Sequence, residues 1–305
     1  MNQPVPLVEI VRSGLREGLH HGSAVLIDPD GTTRLSLGEV SSPMYPRSSL
    51  KPAQAAGMLR CGLDLPAADL ALAAASHSGE PEHVTRVDAL LRRYSLGEDD
   101  LRCPPELPMG EAARRGVSVE RRITMNCSGK HAAMLATCAI NGWPTADYLD
   151  PKHPLQAAIA DAVVDLADEP IARTSVDGCG APLFAISLTG LARVFQRLVT
   201  TPIGDAMREH PWLVAGTDRD DTRLMSAVPG LISKIGAEGV FAFALPDGRA
   251  AAIKIADGSG RARLPVAAGL LATLGVEGLE DLAESPVLGG GDPVGTIRLI
   301  PGTLR

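Results

Sequence analysis

Strand-forming segments at both ends of the chain enclose a long helix-rich middle, and this arrangement restricts the fold more than any other feature. Near the start, residues 22–27 run into the turn Asp28-Pro29-Asp30-Gly31 and return over residues 33–40, a hairpin pattern. Near the end, residues 239–244 and 249–255 flank Leu245-Pro246-Asp247-Gly248, and a last strand is read at 295–300. Helical periodicity covers residues 53–59, 67–75, 81–93, 128–141, 154–167, 183–199 and 263–274. Such distant strands bury one face most simply by joining a single antiparallel sheet against which the helices pack, so the fold class is α+β. Residues 1–45 with 200–305 are read as a sheet subdomain and 46–199 as a mainly helical one, together forming one compact unit.

Composition narrows the function. Aromatic residues make up 3% of the chain and the formal net charge is -7, so neither base-stacking platforms nor a basic stripe for phosphates is available. Nucleic acid is excluded as a partner on this ground, and a small-molecule substrate is expected. The first residues carry no basic and apolar leader, and no segment has the apolar length of a membrane span, so a cytoplasmic protein with no membrane partner is expected. Five cysteines, Cys61, Cys103, Cys127, Cys138 and Cys179, form an odd set that argues for free or metal-bound thiols over a disulfide framework.

Chemistry enters at Tyr45-Pro46-Arg47-Ser48-Ser49-Leu50-Lys51-Pro52. Ser48 and Lys51 stand three residues apart at a helix start and therefore share a face. A serine hydroxyl needs a neighbour to take its proton, and a desolvated lysine can do so. The first helical turn also offers free N–H groups to a developing oxyanion. The same spacing occurs in a helix cap beside a solvated lysine, so the pair alone does not decide the matter.

The order Ser48-x-x-Lys51 followed by Ser233-Lys234-Ile235-Gly236 resembles that of serine β-lactamases, penicillin-binding proteins and serine-dependent glutaminases. It departs from the β-lactamases, because the Ser-Asp-Asn element is missing and isoleucine replaces threonine in Lys-Thr-Gly. A broader match runs through residues 47–52, Ala75-Ser76-His77-Ser78-Gly79-Glu80-Pro81, Asn126-Cys127-Ser128-Gly129-Lys130-His131, Asp177-Gly178-Cys179-Gly180 and residues 234–240. It resembles the Rhizobium-type, or class 3, L-asparaginase family. That resemblance implies a β-lactamase-like fold, a homodimer, and hydrolysis of L-asparagine to L-aspartate and ammonia.

It also implies two Ser-Lys pairs, Ser48 with Lys51 and a serine of Ser76-His77-Ser78 with Lys254. Ser76 is favoured over Ser78, and Lys234 is the rival of Lys254. The family's metal, usually zinc, maps onto Cys127, Lys130 and Cys179. Arg47 and Asp177 are read as substrate contacts, since asparagine presents a carboxylate to a guanidinium and an ammonium to a carboxylate. His77 and His131 are read as packing or hydrogen-bonding residues. Residues 216–225 match the family without an evident role. The competing functions are a serine-dependent glutaminase, a penicillin-recognising hydrolase, and a non-catalytic amino-acid or zinc sensor.

Overall fold

The sheet is built from both ends of the chain. In a computed structural model describing residues 3–304, ten strands are present: β1 (Val5–Arg12), β2 (Leu15–Ile27), β3 (Thr33–Leu37), β4 (Arg173–Val176), β5 (Pro182–Ala185), β6 (Ile232–Ile235), β7 (Val240–Ala244), β8 (Ala250–Ile255), β9 (Glu284–Gly289) and β10 (Asp292–Leu299). Eight of them form one sheet in the order β6-β7-β8-β2-β1-β10-β9, with β3 also paired to β2, while β4 and β5 form a separate hairpin. All pairings are antiparallel. The α+β reading holds, with the sheet drawn from both chain ends and the helices from the middle.

The long strand β2 joins the two halves. Its first part pairs with β1, while Gly22 to Ile27 lie opposite Ile255 to Ala250 of β8. That register places β6 and β7, with Lys234 on β6, beside the start of the first long helix, Lys51–Arg60. Strands β6, β7 and β8 are buried almost throughout. Strand β7 reads as a continuous apolar run, while β6 and β8 are interrupted by Ser233 and Lys234 and by Lys254; helices cover what an antiparallel sheet often leaves wet.

The helix Ser128–Asn141 is the buried centre of the helical part, since every residue from Ser128 to Cys138 is shielded from solvent. Alanine and glycine allow its neighbours to come close. A Cβ on Gly129 would sit 2.6 Å from the Leu72 carbonyl oxygen and 2.7 Å from Leu72 Cγ. Gly129→Ala would gain about 1 kcal/mol of helix propensity, but relieving a backbone clash in a packed core costs roughly 1–3 kcal/mol. The clash should win. We expect a net loss of up to about 2 kcal/mol, read from the urea midpoint of the variant at unchanged slope. No helix among the described residues is long and apolar enough to cross a membrane.

Candidate active site

Pro46 precedes a short 3₁₀ turn, Arg47–Leu50, which runs directly into the helix starting at Lys51. Arg47 takes a positive φ of 54°, a left-handed conformation that costs a non-glycine residue of order 1 kcal/mol and persists only where surroundings hold it. What holds it is Asp177, whose Oδ1 accepts from Arg47 Nε at 2.7 Å, with Glu238 further off at 3.7 Å. Ser48 follows, half-buried, on the wall of a cavity of about 530 Å³.

Lys51 is 1% exposed. Its Nζ donates to the Ala75 carbonyl at 2.6 Å and to Ser76 Oγ at 2.9 Å. The hydroxyl that touches Lys51 is therefore that of Ser76, while Ser48, one turn earlier on the same face, opens to the cavity. Ser76 also lines the cavity. Ser78 turns away and donates to the Ala215 carbonyl at 2.9 Å.

Beneath Ser76, His77 is wholly buried. Its Nδ1 accepts from the Gly79 amide at 3.1 Å, so Nε2 carries the proton toward Ser128 Oγ at 2.9 Å. Burial, followed by the His83 and Lys51 charges, holds its pKa well below the ordinary histidine value. A neutral His77 thus ties the Ser76 segment to the N-terminus of the helix that carries Lys130, which is a positioning role.

Of the two candidate second lysines, the structure brings Lys234 to the cluster. It is fully buried, its Nζ lies 3.1 Å from Asp221 Oδ2, and Ser233 Oγ meets Asp221 Oδ1 at 3.2 Å. Burial is the main force pushing its pKa down to about 8, opposed by Asp221 and reinforced by the Lys51 charge. Lys254, on β8, is half-buried and donates to the carbonyls of Glu238 and Ile255 at 2.6 and 2.7 Å. Neither lysine lines the cavity or donates to a serine hydroxyl; they differ in that Lys234 is fully buried against Asp221 and its charge is felt together with that of Lys51. The strand register of Lys254, across from Ser23 and Val240, directs it elsewhere.

Cys127, Lys130 and Cys179 do come together. Lys130 Nζ lies 3.2 Å from Cys179 Sγ. The neighbouring Cys127 thiol is the first cause that lowers the Cys179 pKa, aided by Lys130 and His131 against burial, while the Cys127 Sγ lies 3.2 Å from Asn126 Oδ1. The same contact, together with burial, pushes Cys127 well up. Burial would lower Lys130, but the two sulfurs outweigh it and its pKa is raised. His131 Nδ1 meets Tyr148 Oη at 2.6 Å, and that oxygen already accepts from the Arg102 amide. The His131 proton therefore sits on Nε2, a buried donor with no well-aligned acceptor, turned toward the Cys179 sulfur.

The motif at residues 216–225 acquires a place. Asp220 pairs with Arg263 at 2.8 Å, Asp221 holds Lys234, and Arg219 and Asp218 line the cavity. Sequence reasoning left these residues without a role. The available signal was two adjacent aspartates ahead of a helix, with nothing to say which buried cations they would meet.

Against this geometry, the model of the L-asparaginase II family matches residues 8–299. The chain belongs to that family. It is accordingly a hydrolase of amides with asparaginase-type activity on a small-molecule substrate. No curated protein matches the chain. Among solved structures, a β-lactamase from Mycobacterium bovis aligns at 14% identity and a TM-score of 0.40, over 90% of this chain and 97% of its own. A putative β-lactamase from Bacteroides dorei aligns at 13% identity and a TM-score of 0.43, over 77% of this chain and 84% of its own.

Proposed function

We propose that the protein hydrolyses L-asparagine to L-aspartate and ammonia through a serine ester. The reading is carried by one arrangement: a buried lysine 2.9 Å from one serine hydroxyl, with a second serine one turn earlier open to the cavity. A nucleophile must be reachable, and Ser48 is the more accessible of the two; Ser76 is 4% exposed and already engaged by Lys51. In this scheme Ser48 Oγ attacks the side-chain amide carbon, and its proton passes to the Lys51 amine, directly or through Ser76. The proton is returned to the departing nitrogen as the C–N bond breaks and ammonia leaves. Water then resolves the β-aspartyl ester by the same base. Lys234 contributes a second lysine to the buried site, held by Asp221. Asp177, held in place by Arg47, meets the ammonium at the amino-acid end of the substrate.

Turnover of L-asparagine, L-glutamine and a chromogenic cephalosporin on one preparation tests this reading. Ammonia from asparagine at the highest kcat/KM is expected. Preference for glutamine or the cephalosporin would replace it with one of its rivals, and calorimetric binding of asparagine without ammonia would mark a sensor.

The family resemblance also carries a zinc ion on Cys127, Lys130 and Cys179. The donor set fits: two sulfurs, with the Cys179 pKa lowered, and an amine 3.2 Å from the Cys179 sulfur suit a borderline-soft divalent ion with a fourth position open. Among the described residues no cluster of three or more His, Cys, Asp or Glu stands ready to hold a metal, so Lys130 is needed to complete this one. Bound there, zinc would supply Lewis acidity beside the cavity. Binding requires loss of the Cys127 and Lys130 protons, so metal affinity is expected to rise with pH. The double variant Cys127→Ser/Cys179→Ser should retain little metal after identical purification. Equal zinc in variant and wild type by mass spectrometric elemental analysis would overturn the assignment. The resemblance further implies a homodimer, testable by light scattering.

A further inference from the structure

Three arginines line the cavity, and their partners differ. Arg47 is held by Asp177 at 2.7 Å and approaches Glu238. Arg263 is held by Asp220 at 2.8 Å and donates to the Gly236 carbonyl at 3.2 Å. Arg219 has no carboxylate within ion-pair distance among the described residues, and its guanidinium touches only the Met109 sulfur, a weak acceptor. It is half-buried, and its charge is felt by Asp220 and Lys234 deeper in the site.

The loop that carries Arg219 is fastened to the segment that carries Ser76. Thr217 donates through both its amide and its hydroxyl to the Glu80 carboxylate, each at 2.8 Å, and Ser78 Oγ donates to the Ala215 carbonyl. Gly216 has φ of 122°, and a Cβ there would stand 2.3 Å from Ser78 Oγ. Thr222 Oγ1 closes the turn onto the Gly216 carbonyl at 2.7 Å. Arg219 is thus placed at a fixed offset from Ser76 and Lys51, unlike a solvated surface arginine.

We propose that Arg219 holds the α-carboxylate of the substrate and so selects amides that carry a free carboxylate. The inference rests on the asparaginase reading above and deepens it. An incoming amino acid brings one carboxylate. Arg47 and Arg263 could take it only by giving up an existing carboxylate partner, whereas Arg219 gains a charge-assisted, bidentate pair at no such loss. The ammonium then falls to Asp177, which faces the cavity and whose Oδ2 is engaged by neither Arg47 nor the Gly178 amide, both of which use Oδ1.

Arg219→Gln should raise KM for L-asparagine by on the order of 10- to 100-fold, the worth of a hydrogen-bonded charge, with kcat changed far less. Succinamate, which keeps the carboxylate and lacks the ammonium, should lose as much. 3-Aminopropanamide, which lacks the carboxylate, should be unaffected, and Arg219→Lys should recover part of the loss. Titration of L-asparagine into a Ser48→Ala background, with and without Arg219→Gln, reads the same affinity without turnover. Equal losses on all three amides, or an unchanged asparagine KM, would overturn the Arg219 assignment while leaving an active asparaginase. A wild-type protein that neither binds nor turns over asparagine would remove the underlying reading instead.

Discussion

Asp221→Ala is expected to destabilise the fold by about 3–5 kcal/mol, because it strands the Lys234 ammonium where both partners are fully buried. The loss has a ceiling set by chemistry, since Lys234 can shed its proton rather than stay charged. Its pKa already stands at about 8 against an ordinary 10.5, owing chiefly to burial. A group held below its unfolded pKa in this way opposes folding fully at pH below 8. That opposition fades as pH rises from about 8 toward 10.5, where the unfolded chain binds the extra proton. Stability should therefore climb with pH across this window in wild type, and Lys234→Met should flatten that part of the profile. Without Asp221 the rise should begin at lower pH. Urea unfolding of Asp221→Ala and of Asp221→Ala/Lys234→Met decides the matter, since the double variant buries no unpaired charge and should regain most of the loss. A single variant within 1 kcal/mol of wild type would show that the buried pair does not hold this part of the site.

Ser48→Ala should lower kcat for asparagine by on the order of 10³-fold or more, the scale found when a nucleophile is deleted. Its stability should stay within roughly 0.5 kcal/mol of wild type, because the half-buried Ser48 hydroxyl has no hydrogen-bond partner whose loss would leave a buried group unsatisfied. Ser76→Ala should also impair turnover while leaving Ser48 in place, so a residual rate above that of Ser48→Ala is expected. Near-normal ammonia release by Ser48→Ala, with circular dichroism unchanged, would sink the assignment.

Much of the fold was legible because hydrophobic periodicity is local. The helices Pro81–Arg93, Ser128–Asn141 and Pro154–Ala167 fall where the sequence reading places them, each with a clear 3.6-residue stripe or apolar run. The hairpins around Asp28-Pro29-Asp30-Gly31 and Leu245-Pro246-Asp247-Gly248 are signalled by their turn residues. Missed elements lacked such marks. Strand β9 is only partly apolar and sits at the sheet edge, and β5 is a four-residue run that merges into the following helix pattern. The helix Asp220–Ala227 is short and charged at its start.

The site divides in the same way. Ser48 and Lys51 are neighbours in sequence, so helix geometry alone puts them on one face. The contact of Lys51 with Ser76 spans 25 residues, and that of Lys234 with Asp221 crosses from a helix to a strand. No periodicity reports such pairings. That Lys234 meets Asp221 while Lys254 meets the carbonyls of Glu238 and Ile255 depends on strand register, on how β6, β7 and β8 pair. Arg219 was invisible as a candidate because its distinguishing property is what surrounds it: two neighbouring arginines have carboxylate partners, and among the described residues it has none.

The most direct test of the account is the location of the covalent intermediate. Wild-type protein is acid-quenched during turnover of L-asparagine, digested, and mapped by peptide mass spectrometry with Ser48→Ala as control. The account predicts an aspartyl mass increment on the peptide containing Ser48, absent from the control. An increment on the peptide containing Ser76, retained in Ser48→Ala, would contradict it.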